Sequence, residues 1–258
     1  MIRLFPSQTI RSARRMGAYS IDGLIPPRCP ATGEIVAQIG DLAPSFWWSL
    51  QFIDDPYCEI CGVPFTTDYG AGVQCPSCIV ERPGFMSCRA SVVFNDQSAK
   101  LISMFKFGDR TELSRMFGQW MAKAGAETIT DQSIILPVPL HWSRLLRRRF
   151  NQSALLAQAV GQKTSARVYV DALKRTRATP PQRETISAEA RRRNVAGAFV
   201  VRDRNRDVIR GAHIVLIDDV LTTGATLSAC ANAIKRAGAA RVDALVLARV
   251  VKGGGPAI

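Results

Sequence analysis

Val215 to Thr226 reads VLIDDVLTTGAT: an apolar run closes on two carboxylates, and a short Thr/Gly loop then leads into helix-forming sequence. The apolar residues of HIVLIDD (213–219) run without alternation, as in a parallel strand covered on both faces. In an open parallel sheet the loop after such a strand lies at its carboxyl end, where ligands bind. Backbone N–H groups from Thr222 to Thr226 would converge at a helix N-terminus and make an anion cradle. The threonine hydroxyls add donors, and Gly224 allows close approach. Asp218 and Asp219 just before the cradle are unsuited to phosphate. Their natural partners are sugar hydroxyls or a bridging Mg²⁺. A ligand with phosphate at one end, vicinal hydroxyls in the middle and a metal-held pyrophosphate at the other fits this order. The structural alternative is an Asp-Asp turn followed by a Thr-rich helix cap. A Walker loop is excluded, because the G-x4-G-K-[ST] spacing and its Lys are missing.

Outward from this stretch the texture alternates strand and helix. SIILPVP (133–139) is a short apolar run with a sharp proline exit, and FNQSALLAQAVGQ (150–162) is a helix with Asn151 as its N-cap. RVYVDAL (167–173), an arginine-rich segment (174–193) and AGAFVV (196–201) follow. A helix from about Ala225 to Ala237 leads to VDALVLARVV (242–251). From Asn95 the pattern is helical, with Leu101, Met104 and Phe105 on one face and Leu113, Met116, Phe117 and Trp120 on another. Gly108 punctuates the two. The rhythm predicts an α/β fold from about residue 93 to 258, a mostly parallel sheet with helices on both faces. Residues 1–50 are expected to be partly irregular, with a short helix at SFWWSL (45–50), and 51–92 to form a separate small module.

That module is set by four of the seven cysteines. Cys58, Cys61, Cys75 and Cys78 read C-x2-C-x13-C-x2-C, two pairs that can each turn two thiolates toward one point. Two such knuckles supply the four soft ligands of tetrahedral Zn²⁺; the alternative is four reduced bystander thiols. A closed shell of four thiolates leaves no position for water, so the ion would be structural. Cys29, Cys88 and Cys230 have no near partner and are expected to pack. An odd cysteine count argues against a disulfide framework.

The length suits one domain of about 150–200 residues plus a smaller module. The net charge is +13, and between Arg144 and Arg210 seventeen Lys/Arg face five Asp/Glu. Such a surplus attracts polyanions, whether nucleic acid or a phosphate-rich small molecule, unless it only solvates helix faces. No run of about 20 apolar residues occurs, so no membrane insertion is expected. The basic N-terminus lacks the apolar stretch of a secretory signal, and the expectation is a soluble cytoplasmic protein.

The 218–226 stretch resembles the phosphoribosyl pyrophosphate (PRPP) signature of type I phosphoribosyltransferases. The resemblance implies that Asp218 and Asp219 hold the ribose 2′- and 3′-hydroxyls. It assigns Val220, Leu221, Thr222, Thr223, Gly224, Ala225 and Thr226 to the 5′-phosphate loop. Purine-salvage members carry a carboxylate where this chain has Thr222, which argues against purine-base salvage. PVPLHWSRLLRRRFNQSALLA (137–157), Gln182 with Arg191–Val195, and FKFGD (105–109) narrow the likeness to the ComF family. Those competence-associated proteins join a zinc module to a phosphoribosyltransferase domain, and the match runs from about Leu24 to Val250.

By that likeness Pro139, Leu140, His141, Trp142 and Ser143 would form the pyrophosphate loop, and 174–185 a mobile loop over PRPP. Arg175 and Arg183 would neutralise the leaving pyrophosphate. Lys106 lies either near the site or on a helix surface. The likeness implies PRPP with Mg²⁺ as ligand, with phosphoribosyl transfer to an unidentified nitrogen acceptor. DNA, including single strands, and DNA-import proteins are the implied partners. The other reading is a non-catalytic nucleic-acid binder or ligand sensor on the same fold. Arg149 stands where the family reads Gly, and Thr32 stands where many members complete a C-x2-C with Cys29, so a second zinc site is not expected.

Overall fold

The computed structural model describes residues 26–108, 110–140, 150–177, 193 and 195–251. The chain forms two compact units, 1–49 and 50–258. In the smaller one Arg28 and Ile35 make an antiparallel bridge, and helix α1, Pro44–Trp47, overlaps the first half of the expected apolar segment.

The larger unit is built on five parallel strands. Two are edge strands, β1 (Cys88–Val93) and β3 (Arg167–Val168). The others are β2 (Ile134–Pro137), β6 (His213–Leu221) and β7 (Arg241–Arg249). Their order is β1-β7-β6-β2-β3, every neighbouring pair parallel. Two further strands, β4 (Leu173–Arg175) and β5 (Phe199–Val201), pair antiparallel as a separate ribbon.

The central strands are apolar on both faces because both are covered. Ile214, Leu216, Val242, Ala244 and Val246 share one core with Leu227, Cys230 and Ile234 of helix α7, Ala225–Arg236. The alternate residues Val215, Ile217 and Leu245 are also fully buried and point the other way. On that side stand α3 (Asp96–Phe107), α4 (Leu113–Ala124) and α5 (Gln152–Gly161). Two short helices lie elsewhere in the chain, α2 (Pro76–Val80) and α6 (Arg206–Ile209). Phe105 of α3 meets Phe117 of α4 edge-on at 5.5 Å. Helix α3 starts on a reciprocal cap: Asn95 Oδ1 accepts from Ser98 N at 3.0 Å, and Ser98 Oγ accepts from Asn95 N at 2.9 Å.

The four cysteines share the α7-side core with the sheet rather than a core of their own. Cys88, at the start of β1, donates its N–H to Ile60 O in the first knuckle at 2.7 Å. Gly62, at φ 63°, lies so near that a Cβ there would stand 2.6 Å from Cys88 O. A larger residue would clash and strain the turn together. The knuckles are therefore seated directly on an edge strand.

Candidate functional site

The carboxyl ends of β6 and β2 lie side by side, and Val138 N donates to Ile217 O at 2.9 Å just beyond the ladder. Asp218 and Asp219 fall at this edge, both partly buried. Two segments distant in sequence converge on them. Lys106, at the end of α3, places Nζ 2.9 Å from Asp219 Oδ2, with both side chains more than four-fifths buried. Ser153, in the first turn of α5, donates Oγ–H to Asp218 Oδ1 at 3.0 Å, and Asp219 N donates to the same oxygen at 3.0 Å. Gln152 Nε2 donates to Lys106 O at 3.3 Å, which ties the two helices together beside the pair.

The N-cap of α5 shows why the sequence folds this way. Asn151 Oδ1 accepts from Ser153 N at 3.1 Å, while its Nδ2 donates to Val138 O at 3.2 Å. One side chain thus closes the helix start and pins it to the strand exit, and this leaves Ser153 aimed at Asp218. The charge balance is tight. Burial pushes the Asp218 carboxyl up to about 7 and the neighbouring Asp219 charge adds to it, against the hydrogen bonds from Asp219 N and Ser153 and the Lys106 charge. Contacts among the described residues engage Oδ1 of Asp218 and Oδ2 of Asp219, which leaves one oxygen of each carboxylate for a ligand.

After Leu221 the chain turns through Thr222 and Thr223 to Gly224, the N-cap of α7, at φ 75°. This left-handed conformation favours glycine. Among the described residues the N–H groups of Thr222, Thr223 and Gly224 find no acceptor, so the loop presents donors at a helix N-terminus. The loop also lines a cavity of about 880 Å³ together with the second knuckle and the turn after it, through Arg82 and Phe85.

The remaining expected site residues divide. Pro139 and Leu140 follow β2 directly, half-buried, at the same strand edge. His141, Trp142, Ser143 and Arg183 lie outside the described residues, as do Arg191 and Arg192 and most of the 174–185 loop. Arg175 sits in β4 with its guanidinium 5.3 Å from the centre of the Phe199 ring. Ser153, Gln152 and Arg249 were not singled out by the sequence reading. Ser153 was within reach of it, because the helix after a strand in such a sheet starts at the ligand edge.

The cysteine cluster passes a geometric test for zinc. The Sγ atoms of Cys58, Cys61, Cys75 and Cys78 all lie within 4.8 Å of one another, and those of Cys61 and Cys75 are 3.6 Å apart. A tetrahedral ion with Zn–S of about 2.3 Å sets S···S at about 3.8 Å. All four cysteines are buried, so this is a closed, structural zinc site. In the smaller unit the Cys29 turn has the same backbone plan as the Cys58 knuckle. Cys29 N donates to Glu34 O and Gly33 N to Cys29 O; Cys58 N donates to Val63 O and Gly62 N to Cys58 O. The turn persists, but Thr32 occupies the second thiol position, and among the described residues no second metal-ligand cluster occurs.

Comparison with known proteins finds two matching domains. Residues 20–79 match the double zinc ribbon domain, and residues 152–256 match the phosphoribosyl transferase domain. The chain is 32% identical over 203 residues to the DNA utilization protein YhgH of Escherichia coli O6:H1, covering 77% of this chain and 86% of that protein. It is 28% identical to Competence protein F of Haemophilus influenzae, covering 75% and 85%. Against Competence protein ComFC of Bacillus subtilis it is 26% identical, covering 78% and 80%. No helix among the described residues is long and apolar enough to cross a membrane. A zinc knuckle pair seated on a parallel sheet, a double acidic strand end with its Thr/Gly loop, and these relatives lead to one conclusion: the chain belongs to the ComF family.

Proposed function

We propose that the carboxyl edge of β6 binds PRPP with Mg²⁺ and transfers its phosphoribosyl group to a nitrogen acceptor. The observation that carries this reading is the convergence of Lys106 and Ser153 on Asp218 and Asp219, one strand-end away from a loop of unpaired backbone donors. The free carboxylate oxygens accept the ribose 2′- and 3′-hydroxyls, and the 222–226 loop takes the 5′-phosphate. The acidic pair is also the group at this edge suited to Mg²⁺, which when bound withdraws charge from the pyrophosphate. Lys106 is the protein cation nearest the reacting end. In the transfer, the bond between the anomeric carbon and the pyrophosphate oxygen breaks and its electron pair leaves with pyrophosphate. The acceptor nitrogen supplies the pair for the new C–N bond and releases its proton. The protein's part is positioning and electrostatic stabilisation of a carbon that becomes cationic on the way.

The biological setting suggested by the names of the relatives is DNA utilization and competence. The basic surplus between Arg144 and Arg210 supports a second reading, in which this surface contacts nucleic acid, single strands included, and the phosphoribosyl site acts as a sensor. Pyrophosphate release distinguishes the two. An enzyme loses it on Asp219→Asn, whereas a binder keeps salt-sensitive DNA affinity in the same variant and releases none. A site of four reduced thiolates suits a cytoplasmic protein, which fractionation of cells would test.

A further inference from the structure

Arg249, the last residue of β7, pairs in register with Leu221 at the mouth of the loop. Its guanidinium reaches in two directions. Nη2 donates to Cys61 Sγ at 3.2 Å, and Nη1 donates to Thr222 O at 3.4 Å. Its Nε is buried without a hydrogen-bond partner among the described residues. The backbone fixes its position on both sides: Val250 N donates to Leu221 O at 2.9 Å, and Phe94 N to Arg249 O at 2.7 Å. Cys61, Arg249 and Thr222 all line the cavity beside the loop.

Zn²⁺ with four thiolates carries a net charge of about 2−. An N–H donor onto one of those sulfurs both stabilises the shell and is itself held by it. We infer that Arg249 is a positioning residue that couples the zinc centre to the anion loop: the thiolate of Cys61 fixes the guanidinium, and the guanidinium fixes the carbonyl of Thr222, so that the neighbouring N–H groups face the ligand. The zinc site then sets the geometry of ligand binding as well as the packing of its own knuckles. This inference rests on the reading of 222–226 as a phosphate loop. Coupling of this kind is reciprocal, so a ligand on the loop must be felt at the metal.

The test uses full-length protein with Co²⁺ in place of zinc, titrated with ribose 5-phosphate, with the thiolate-to-cobalt charge-transfer band as the readout and calorimetry in parallel. The wild-type band is expected to shift with ligand occupancy, and the shift to vanish in Arg249→Gln. That variant keeps stoichiometric metal through its four unchanged thiolates. Its affinity for ribose 5-phosphate should fall about tenfold, and hydrogen exchange at 222–226 should quicken by about the same factor. Calorimetric binding with a static wild-type band overturns the coupling and leaves the phosphate-loop reading standing. If ribose 5-phosphate binds neither protein, the loop reading falls and exchange decides the coupling alone. Exchange at 222–226 equal in wild type and Arg249→Gln overturns it, and quickened exchange upholds it.

Discussion

Asp218 is under opposing demands. Its place at the sheet edge buries it beside a second carboxylate, and a ligand with ribose hydroxyls needs it as an acceptor. Burial and Asp219 raise its carboxyl from about 3.8 to about 7, so the folded state holds a proton there that the unfolded chain has released. The resulting stability is present below about pH 4 and is lost as pH rises through about 7. Asp218→Asn, a mimic of the protonated acid, should match wild type in urea midpoint at pH 4 and exceed it at pH 8. Ligand affinity should follow the opposite course in the wild type and tighten as pH rises from 6 to 8. Asp243 shows the reverse sign at the other end of the sheet. Burial would raise it, but hydrogen bonds from His213, Arg241 and Ser87 hold it at about 2. Its contribution is present above about pH 4 and lost as pH falls toward 2. Asp243→Ala removes the partner of three groups around a buried carboxylate and should cost about 3 kcal/mol by denaturation at pH 7. Lys106→Met should weaken PRPP binding ten- to a hundredfold, the scale of one charge-assisted contact at about 1.5–3 kcal/mol, and should also lower the melting temperature because it leaves the largely buried Asp219 carboxylate unpaired.

Among the elements, α5 does more than its periodicity announces. Asn151 was legible as a cap, because an Asn before an apolar helical run has few other uses. Its second contact, to Val138 O, was not legible, because it depends on where β2 ends. Asn151→Ala should therefore cost about 1 kcal/mol as a lost cap, and also lower ligand affinity by releasing Ser153, a pair of effects that calorimetry and thermal melts separate. The strand and loop around Asp218 were readable because continuous apolar residues, two acids and a Thr/Gly turn coincide within twelve positions. Strand β1 was not: CRASVV has two polar residues, and the four nearby cysteines dominate its reading. Arg89 is accommodated there by leaving the strand edge for Glu59, at 2.8 Å. The β4–β5 ribbon likewise read as part of the alternating rhythm, although its three-residue strands pair only with each other.

For the molecule as a whole, the zinc knuckles and the sheet form a single core in the larger unit. Metal removal should then act beyond the knuckles. Chelation is expected to lower the main thermal transition of the unit spanning 50–258 and to expose amides of β1, rather than to melt a ribbon in a separate early step. Differential scanning calorimetry with and without chelator reads this directly. The acidic pair and the Thr/Gly loop are proposed to form a working phosphoribosyl site. The most direct test is calorimetric titration of zinc-replete protein with PRPP and Mg²⁺, in wild type and in the Asp218→Asn/Asp219→Asn double variant. Saturable binding in the wild type that is abolished in a folded double variant is the predicted result. A folded wild type that binds no PRPP, or a double variant that binds it as well as wild type, would mean that the pair and the loop do not form this site.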